Sequence, residues 1–224
     1  MKIFIVIAAY NEEKSIVKVI ESLKKHGYRH IVVVDDGSKD NTFKLCKKEN
    51  VHALRHVINR GQGAALKTGI DFALLEGADI IVTFDADGQH KAEEITRLTE
   101  PIKKGEVDAA LGSRFLDNKT KIPFLKRLTL KGGVIFTRVF SGIKLTDTHN
   151  GFRALSKRAA QKIEITQDKM AHASEIIDEI AEKKIRFKEV PVTIVYTDYS
   201  KSKGQSIFNS IRIAAKFLLH KLMR

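Results

Sequence analysis

Four short apolar runs, Ile3 to Ala9, Ile31 to Val34, Val51 to Val57 and Ile80 to Phe84, alternate along this chain with segments of helical spacing. The first such segment, Glu12 to Lys25, sets Ile16, Val19, Ile20 and Leu23 on one helical face. Thr42 to Glu49 follows, with Asp40 or Asn41 available as its cap. Gly61-Gln62-Gly63 then opens a helix that reaches about Glu76, and Ala92 to Lys103 precedes a further short strand, Ala109 to Gly112. Regular alternation of this kind predicts an α/β fold: a mostly parallel sheet with helices on both faces. Its strands end along one carboxyl edge, where open α/β sheets bind ligands. Asp35 ends the second run and Asp85 the fourth, so both belong to that edge.

Residues 115–150 break the pattern with Pro123 and Gly132-Gly133 in a basic, amphipathic stretch that reads as a docking element. Arg186 to Thr197 returns to strand-like alternation around Pro191, and Asp198 to Gln205 is a polar, lysine-rich loop. Ser206 to Arg224 sets Ile207, Phe208, Ile211, Ala214, Ala215, Leu218 and Leu222 on one helical stripe, with Arg212, Lys216, His220 and Lys221 largely off it. That helix either packs on the sheet or a partner subunit, or lies in a membrane interface with its basic residues at the headgroups. With 224 residues and 43% hydrophobic content, one domain is expected, spanning 1–205, with 206–224 as its C-terminal amphipathic helix.

The longest near-continuous apolar run, Ile3 to Tyr10, is too short to cross a bilayer, and no signal-peptide pattern is present. The one cysteine, Cys46, forms no internal disulfide and reads as a packed thiol. A cytoplasmic location is expected. The formal charge of +13 concerns partners and not fold. Nucleic acid, an anionic membrane surface and a phosphorylated substrate are all compatible with it. The basic residues dominate from Lys119 onward, more unevenly than on a plain solvated face.

Asp85-Ala86-Asp87 carries the chemistry. Two carboxylates one residue apart point the same way on an extended chain. They repel each other unless a cation lies between them. Both can reach one Mg²⁺ or Mn²⁺, with Gln89 supplying a neutral oxygen. Such a metal bridges two phosphates and neutralises charge growing on a leaving diphosphate. The plainer reading is a pair of turn or capping aspartates. His90 reads as a supporting residue and not a ligand.

Further motifs stand in order around this pair. They are Ala9-Tyr10-Asn11-Glu12, Val34-Asp35-Asp36-Gly37-Ser38, Asn59-Arg60-Gly61-Gln62-Gly63-Ala64-Ala65-Leu66 and Asp85-Ala86-Asp87-Gly88-Gln89-His90. Gly112-Ser113-Arg114, Thr146-Asp147-Thr148-His149-Asn150-Gly151-Phe152-Arg153 and Tyr199-Ser200-Lys201-Ser202-Lys203-Gly204 follow. Together they resemble the family 2 glycosyltransferases of GT-A fold, in the branch of the dolichol-phosphate mannosyltransferases. The likeness runs from residue 3 to about 204, and the family's usual first-motif proline is replaced by Ala8 or Ala9. Each motif alone is weak; seven in register are not.

The resemblance implies that Ala9, Tyr10, Glu12, Asp35, Asp85 and Ala86 meet the nucleotide, and that Asp85, Asp87 and Gln89 hold the metal. It implies that Arg114, Lys126 and Arg127 face an acceptor phosphate, while Lys201 and Lys203 close over the phosphates. Arg153 adds positive charge. Glu175 matches a recurring acidic position that orients groups or acts as base; as a residue type it equally fits a surface helical acid. Glu12 and Asp40 equally fit helix capping, Tyr10 packing, Gly61 and Gly63 a simple turn, and the lysines a solvated face.

The expected activity is a metal-dependent, inverting transfer of a hexose from a nucleotide sugar, of GDP-mannose or UDP-glucose type, to a polyprenyl phosphate. The setting would be the cytoplasmic face of a membrane, with the enzyme held peripherally. A phosphate monoester is mostly dianionic at neutral pH and needs no strong base. Arg114 and its basic neighbours would hold it in line, with Asp87 and Glu175 as the other catalytic candidates. A saccharide acceptor would need a base, for which Glu175 is the candidate. More distant alternatives are a nucleotidyltransferase and a non-catalytic basic binding protein. No zinc or aromatic RNA-binding pattern supports nucleic acid.

Overall fold

A computed structural model describes residues 1–117, 120 and 124–195, and within them not the side chains of residues 124–126, 129, 136 and 139–141. Lys201, Lys203 and the 206–224 stripe therefore lie outside the described residues, as does the side chain of Lys126. The apolar runs become β1 (Ile3–Ala9), β2 (His30–Asp35), β3 (His52–Arg55), β4 (Ile80–Asp85) and β5 (Ala109–Ser113). Two further strands are β6 (Arg153–Ser156) and β7 (Phe187–Pro191). They form one sheet in the order β3-β2-β1-β4-β6-β5-β7. All neighbours run parallel except β6, which is antiparallel to both β4 and β5.

Period-two alternation along each strand divides the core. Ile5, Ile7, Ile31, Val33, Ile80 and Val82 point to one face. There they meet α1 (Ile16–Lys25), α2 (Thr42–Lys48) and α4 (Ile95–Lys103), the last preceded by a 3-10 turn at Ala92–Glu94. Phe4, Val6, Val32, Val34 and Ile81 point to the other, against α3 (Gln62–Leu75), α6 (Lys157–Lys162) and α7 (His172–Glu182). The basic stretch expected to dock holds a long helix, α5 (Phe124–Ser141).

Helix α1 starts four residues later than its spacing suggests. Asn11 adopts a left-handed backbone (φ 53°), and the Glu12 N–H is tied to Thr42 Oγ1 at 2.8 Å. Residues 11–15 are thereby held as turns over the sheet edge.

Helix α3 crosses β1 and β2 closely at Gly69. A methyl there would sit 2.4 Å from Val6 Cγ1 and 3.2 Å from Val34 Cγ2. Overpacking costs about 1–3 kcal/mol, more than the ~1 kcal/mol that Ala gains over Gly in a helix. Gly69→Ala is expected to lower the urea midpoint of unfolding; an unchanged or raised midpoint would contradict this packing.

Candidate active site

Register brings the motifs together. Across β1, Ala9 pairs with Asp35 of β2 and Ala8 with Asp85 of β4. The chain leaves β1 toward β2 and β3 on one side and toward β4 on the other, so the cleft lies at the switch point of the sheet, where ligands bind.

Asp35 is fully buried. Its Oδ2 takes Arg55 Nε at 3.2 Å and the Ser38 N–H at 3.3 Å. Its Oδ1 is a buried acceptor without a hydrogen-bond partner among the described residues, an unmet capacity that a ligand donor would fill. The Arg55 guanidinium also lies 5.1 Å from the Phe43 ring centroid. Tyr10 stands beside this edge, 40% exposed. Glu12 is buried and takes the Ser15 hydroxyl at 2.6 Å. Asp40 accepts from the Thr42 and Glu13 N–H groups, so it ties the 11–15 turns to the start of α2, whose N-cap residue is Asn41.

The extended-chain geometry expected for Asp85 and Asp87 does not occur. Strand β4 ends at Asp85, and residues 86 and 87 form a turn closed by Gly88 at φ 77°. The Gln89 N–H donates to Asp87 Oδ1 at 3.0 Å, and its side-chain nitrogen donates to Asp87 Oδ2. Gln89 therefore meets Asp87 through nitrogen, and turning the amide over exchanges that nitrogen for oxygen.

Asp85 ends β4 at this edge, its side chain 31% exposed yet bordered by Gln62, His90 and Gly151. Burial raises its carboxyl to about 6, partly opposed by Arg114 and Arg153. Burial, and then the charge of Asp85, raise Asp87. Two crowded carboxylates with hard oxygen donors fit a Mg²⁺ or Mn²⁺ ion whose other ligands are water and phosphate. Among the described residues no cluster of three or more His, Cys, Asp or Glu side chains could hold a metal.

His90 explains how Asp85 is steadied. Its Nδ1 accepts the Asp85 N–H at 3.2 Å, which places the proton on Nε2, 3.3 Å from Asp85 Oδ2. Burial lowers its pKa to about 4, so the ring is neutral at pH 7. It stacks on Phe152 at 4.8 Å and meets Phe84 edge-on at 5.2 Å.

The basic wall begins one residue past β5. Arg114 is 7% exposed, and its Nε donates to Asp147 Oδ2 at 2.6 Å. Asp147 is in turn held by Glu189, which accepts from the Thr146 and Asp147 N–H groups. Arg153, buried on β6, donates to the carbonyls of Asn150, Thr148 and Ala173. Beyond them Arg127 and Lys131 of α5 flank a groove of about 390 Å³ lined also by Phe115, Val134, Ile135 and Thr146. Leu116, Leu128 and Ile135 are exposed.

Glu175 is buried at 2% exposure, which sets aside the surface-acid reading. Its carboxylate accepts the N–H groups of Thr166 and Gln167. Gln62 went unnoticed as a site residue in the sequence, although its side-chain nitrogen lies 3.4 Å from Asp85 Oδ1. Its place between two glycines was the available signal. Asp147 likewise stood in a motif without an assigned role.

Residues 4–164 match the family model described as glycosyl transferase family 2. The chain is 35% identical to the UDP-N-acetylglucosamine–dolichyl-phosphate N-acetylglucosaminyltransferase of Methanococcus voltae, over 98% of this chain and 96% of that protein. It is 32% identical to the dolichol-phosphate mannosyltransferase of Pyrococcus furiosus, over 95% of this chain and 62% of that protein. Among solved structures, glucosyl-3-phosphoglycerate synthase from Mycobacterium tuberculosis in complex with Mn²⁺ and UDP-glucose superposes with a TM-score of 0.74. That comparison covers 98% of this chain and 78% of the other at 17% identity, and it shows the shared GT-A architecture.

Proposed function

This chain belongs to glycosyl transferase family 2, and from that premise we propose that it moves a hexose from a nucleotide sugar to a polyprenyl phosphate, with inversion at the anomeric carbon. Asp35, with its unpartnered buried oxygen, receives the nucleoside beside Ala9, Tyr10 and Glu12. Asp85 and Asp87 would hold Mg²⁺ or Mn²⁺, assisted by Gln89 and with the Ala86 backbone beside them. When bound, the ion offsets the charge that develops on the leaving diphosphate.

The acceptor assignment rests chiefly on Glu175. The carboxylate best suited by sequence to act as base is buried under the 166–167 loop and bonded to its N–H groups. A sugar hydroxyl would need a base in that place. A phosphate arrives already ionised and needs only cations to orient it. Arg114, Arg127 and Lys131 supply these next to an apolar groove suited to a prenyl chain. Lys126, Lys201 and Lys203 extend the same proposal from sequence alone.

The exposed Leu116, Leu128 and Ile135 among basic residues support peripheral contact with an anionic membrane. No helix among the described residues is long and apolar enough to cross one. The test is a panel of sugar nucleotides offered with Mn²⁺ and either a short-chain polyprenyl phosphate or soluble sugars. Sugar is expected in the lipid extract, with nucleoside diphosphate released. Transfer to soluble sugars alone, or release of pyrophosphate, would overturn the proposal.

A further inference from the structure

A glycine-rich segment at the mouth of a helix invites the reading of a phosphate cradle. Here both glycines are already occupied by protein. A Cβ on Gly61 would lie 2.4 Å from the Asp168 carbonyl oxygen, and one on Gly63 would lie 2.0 Å from that of Gln167. The Ala64 N–H donates to the same Asp168 oxygen at 3.1 Å. The glycines are required because the backbone of residues 167–168 lies against them.

The segment is gripped from two sides. On one, the buried Asp36 carboxylate accepts the Arg60 N–H at 3.0 Å and the Gly61 N–H at 2.6 Å, and it is itself met by His56 Nδ1 at 2.7 Å. On the other lies the 166–168 loop, held from beneath by Glu175 through the Thr166 and Gln167 N–H groups at 3.1 and 2.9 Å. Between the two grips stands Gln62, the first residue of α3.

We infer that Gln62 is a positioning residue for Asp85, and that the segment from Arg60 to Gly63 is a clamped arm presenting it and not a cradle open to phosphate. The Gln62 amide reaches Asp85 Oδ1 at 3.4 Å, while His90 Nε2 faces the other oxygen at 3.3 Å. Gly151 closes a third side, since a Cβ there would lie 3.0 Å from Asp85 Oδ1. At 3.4 Å the Gln62 contact is weak, and its effect is directional. It selects one carboxylate orientation before a cation arrives, as outer partners of metal ligands do. Glu175 acts through the same arm, three contacts away from Asp85. The inference rests on the reading of Asp85 as a cation ligand.

The test measures Mn²⁺ binding by electron paramagnetic resonance in the presence of UDP and, separately, GDP, with no acceptor. Gln62→Ala is expected to weaken Mn²⁺ by about tenfold or more, the range seen for outer-shell partners. Nucleotide affinity measured without metal stays at the parent value. Glu175→Gln is expected to shift Mn²⁺ in the same direction, and the double variant to show less than the summed effect. Gln62→Ala changes a half-buried side chain at a helix start, so it serves even if Glu175→Gln fails to fold. Unchanged Mn²⁺ affinity in Gln62→Ala would overturn the inference. So would an equal loss of metal-free nucleotide binding, which is what a direct contact of the Gln62 amide with phosphate requires. A parent protein that binds no Mn²⁺ with either nucleotide would instead refute the underlying reading of the Asp85 edge.

Discussion

Asp87→Asn is expected to lower turnover by about a thousandfold at saturating donor and acceptor. The substitution keeps the shape of the side chain and removes its charge. Asn retains an oxygen for the Gln89 N–H, which Asp87 accepts at 3.0 Å, so the turn after β4 should persist. What is lost is half of the carboxylate pair that offsets the cation's charge. Removing one preorganised electrostatic contact to a developing anion costs about 10²–10³ in rate, and a metal contributes several kcal/mol of the same kind. The variant is compared with the parent in initial rate across a Mn²⁺ series, with circular dichroism to verify folding. A rate within a few-fold of the parent would mean that Asp87 holds no reacting charge.

Arg114→Ala is expected to lower kcat/KM for polyprenyl phosphate by about a hundredfold while leaving donor affinity near its parent value. A guanidinium grips a phosphate through parallel hydrogen bonds that a methyl cannot make. One part of the loss is indirect. Arg114 is paired at 2.6 Å with Asp147, which is 1% exposed, and its removal strands a buried carboxylate. Asp147→Asn separates the two contributions, because it keeps the guanidinium and loosens only its anchor. The smaller loss is expected there. Arg114→Lys keeps a charge without the planar fork and should recover only part of the rate. An equal fall in donor and acceptor parameters for Arg114→Ala would indicate general collapse of the cleft wall, which thermal unfolding would confirm.

Much of this site was legible in the sequence because buried parallel strands read as unbroken apolar runs. Ile3–Ala9 and Ile80–Asp85 announced themselves in that way, and with them the edge on which Asp35 and Asp85 stand. Strand β6 did not. It has four residues, opens on the buried Arg153, and inserts antiparallel between β4 and β5 through long-range pairing that no local pattern encodes. Helix α5 was hidden by Gly132-Gly133 and Pro123, which suggested a broken segment where an 18-residue helix forms.

The misreadings at the site have one physical cause. Whether Glu175 is a surface acid or a buried clamp depends on the 166–167 loop folding back over it, an event nine residues away in the chain and unseen by helical periodicity. The glycines of the Arg60–Gly63 segment spelled out close approach correctly, but composition cannot say whether a phosphate or the chain's own backbone makes it. The Asp85-Ala86-Asp87 spacing suggested an extended pair, while a turn closed by Gly88 takes its place and the charge of Asp85 still bears on Asp87.

A cation held by Asp85 and Asp87 would offset the charge of the leaving diphosphate, while the cationic wall would present an acceptor that is already an anion. The most direct test is sugar transfer by the parent protein to a short-chain polyprenyl phosphate, before and after chelation of divalent metal. Transfer is expected to stop on chelation and to return with added Mn²⁺ or Mg²⁺. Undiminished transfer in the chelator would contradict this role of the cation.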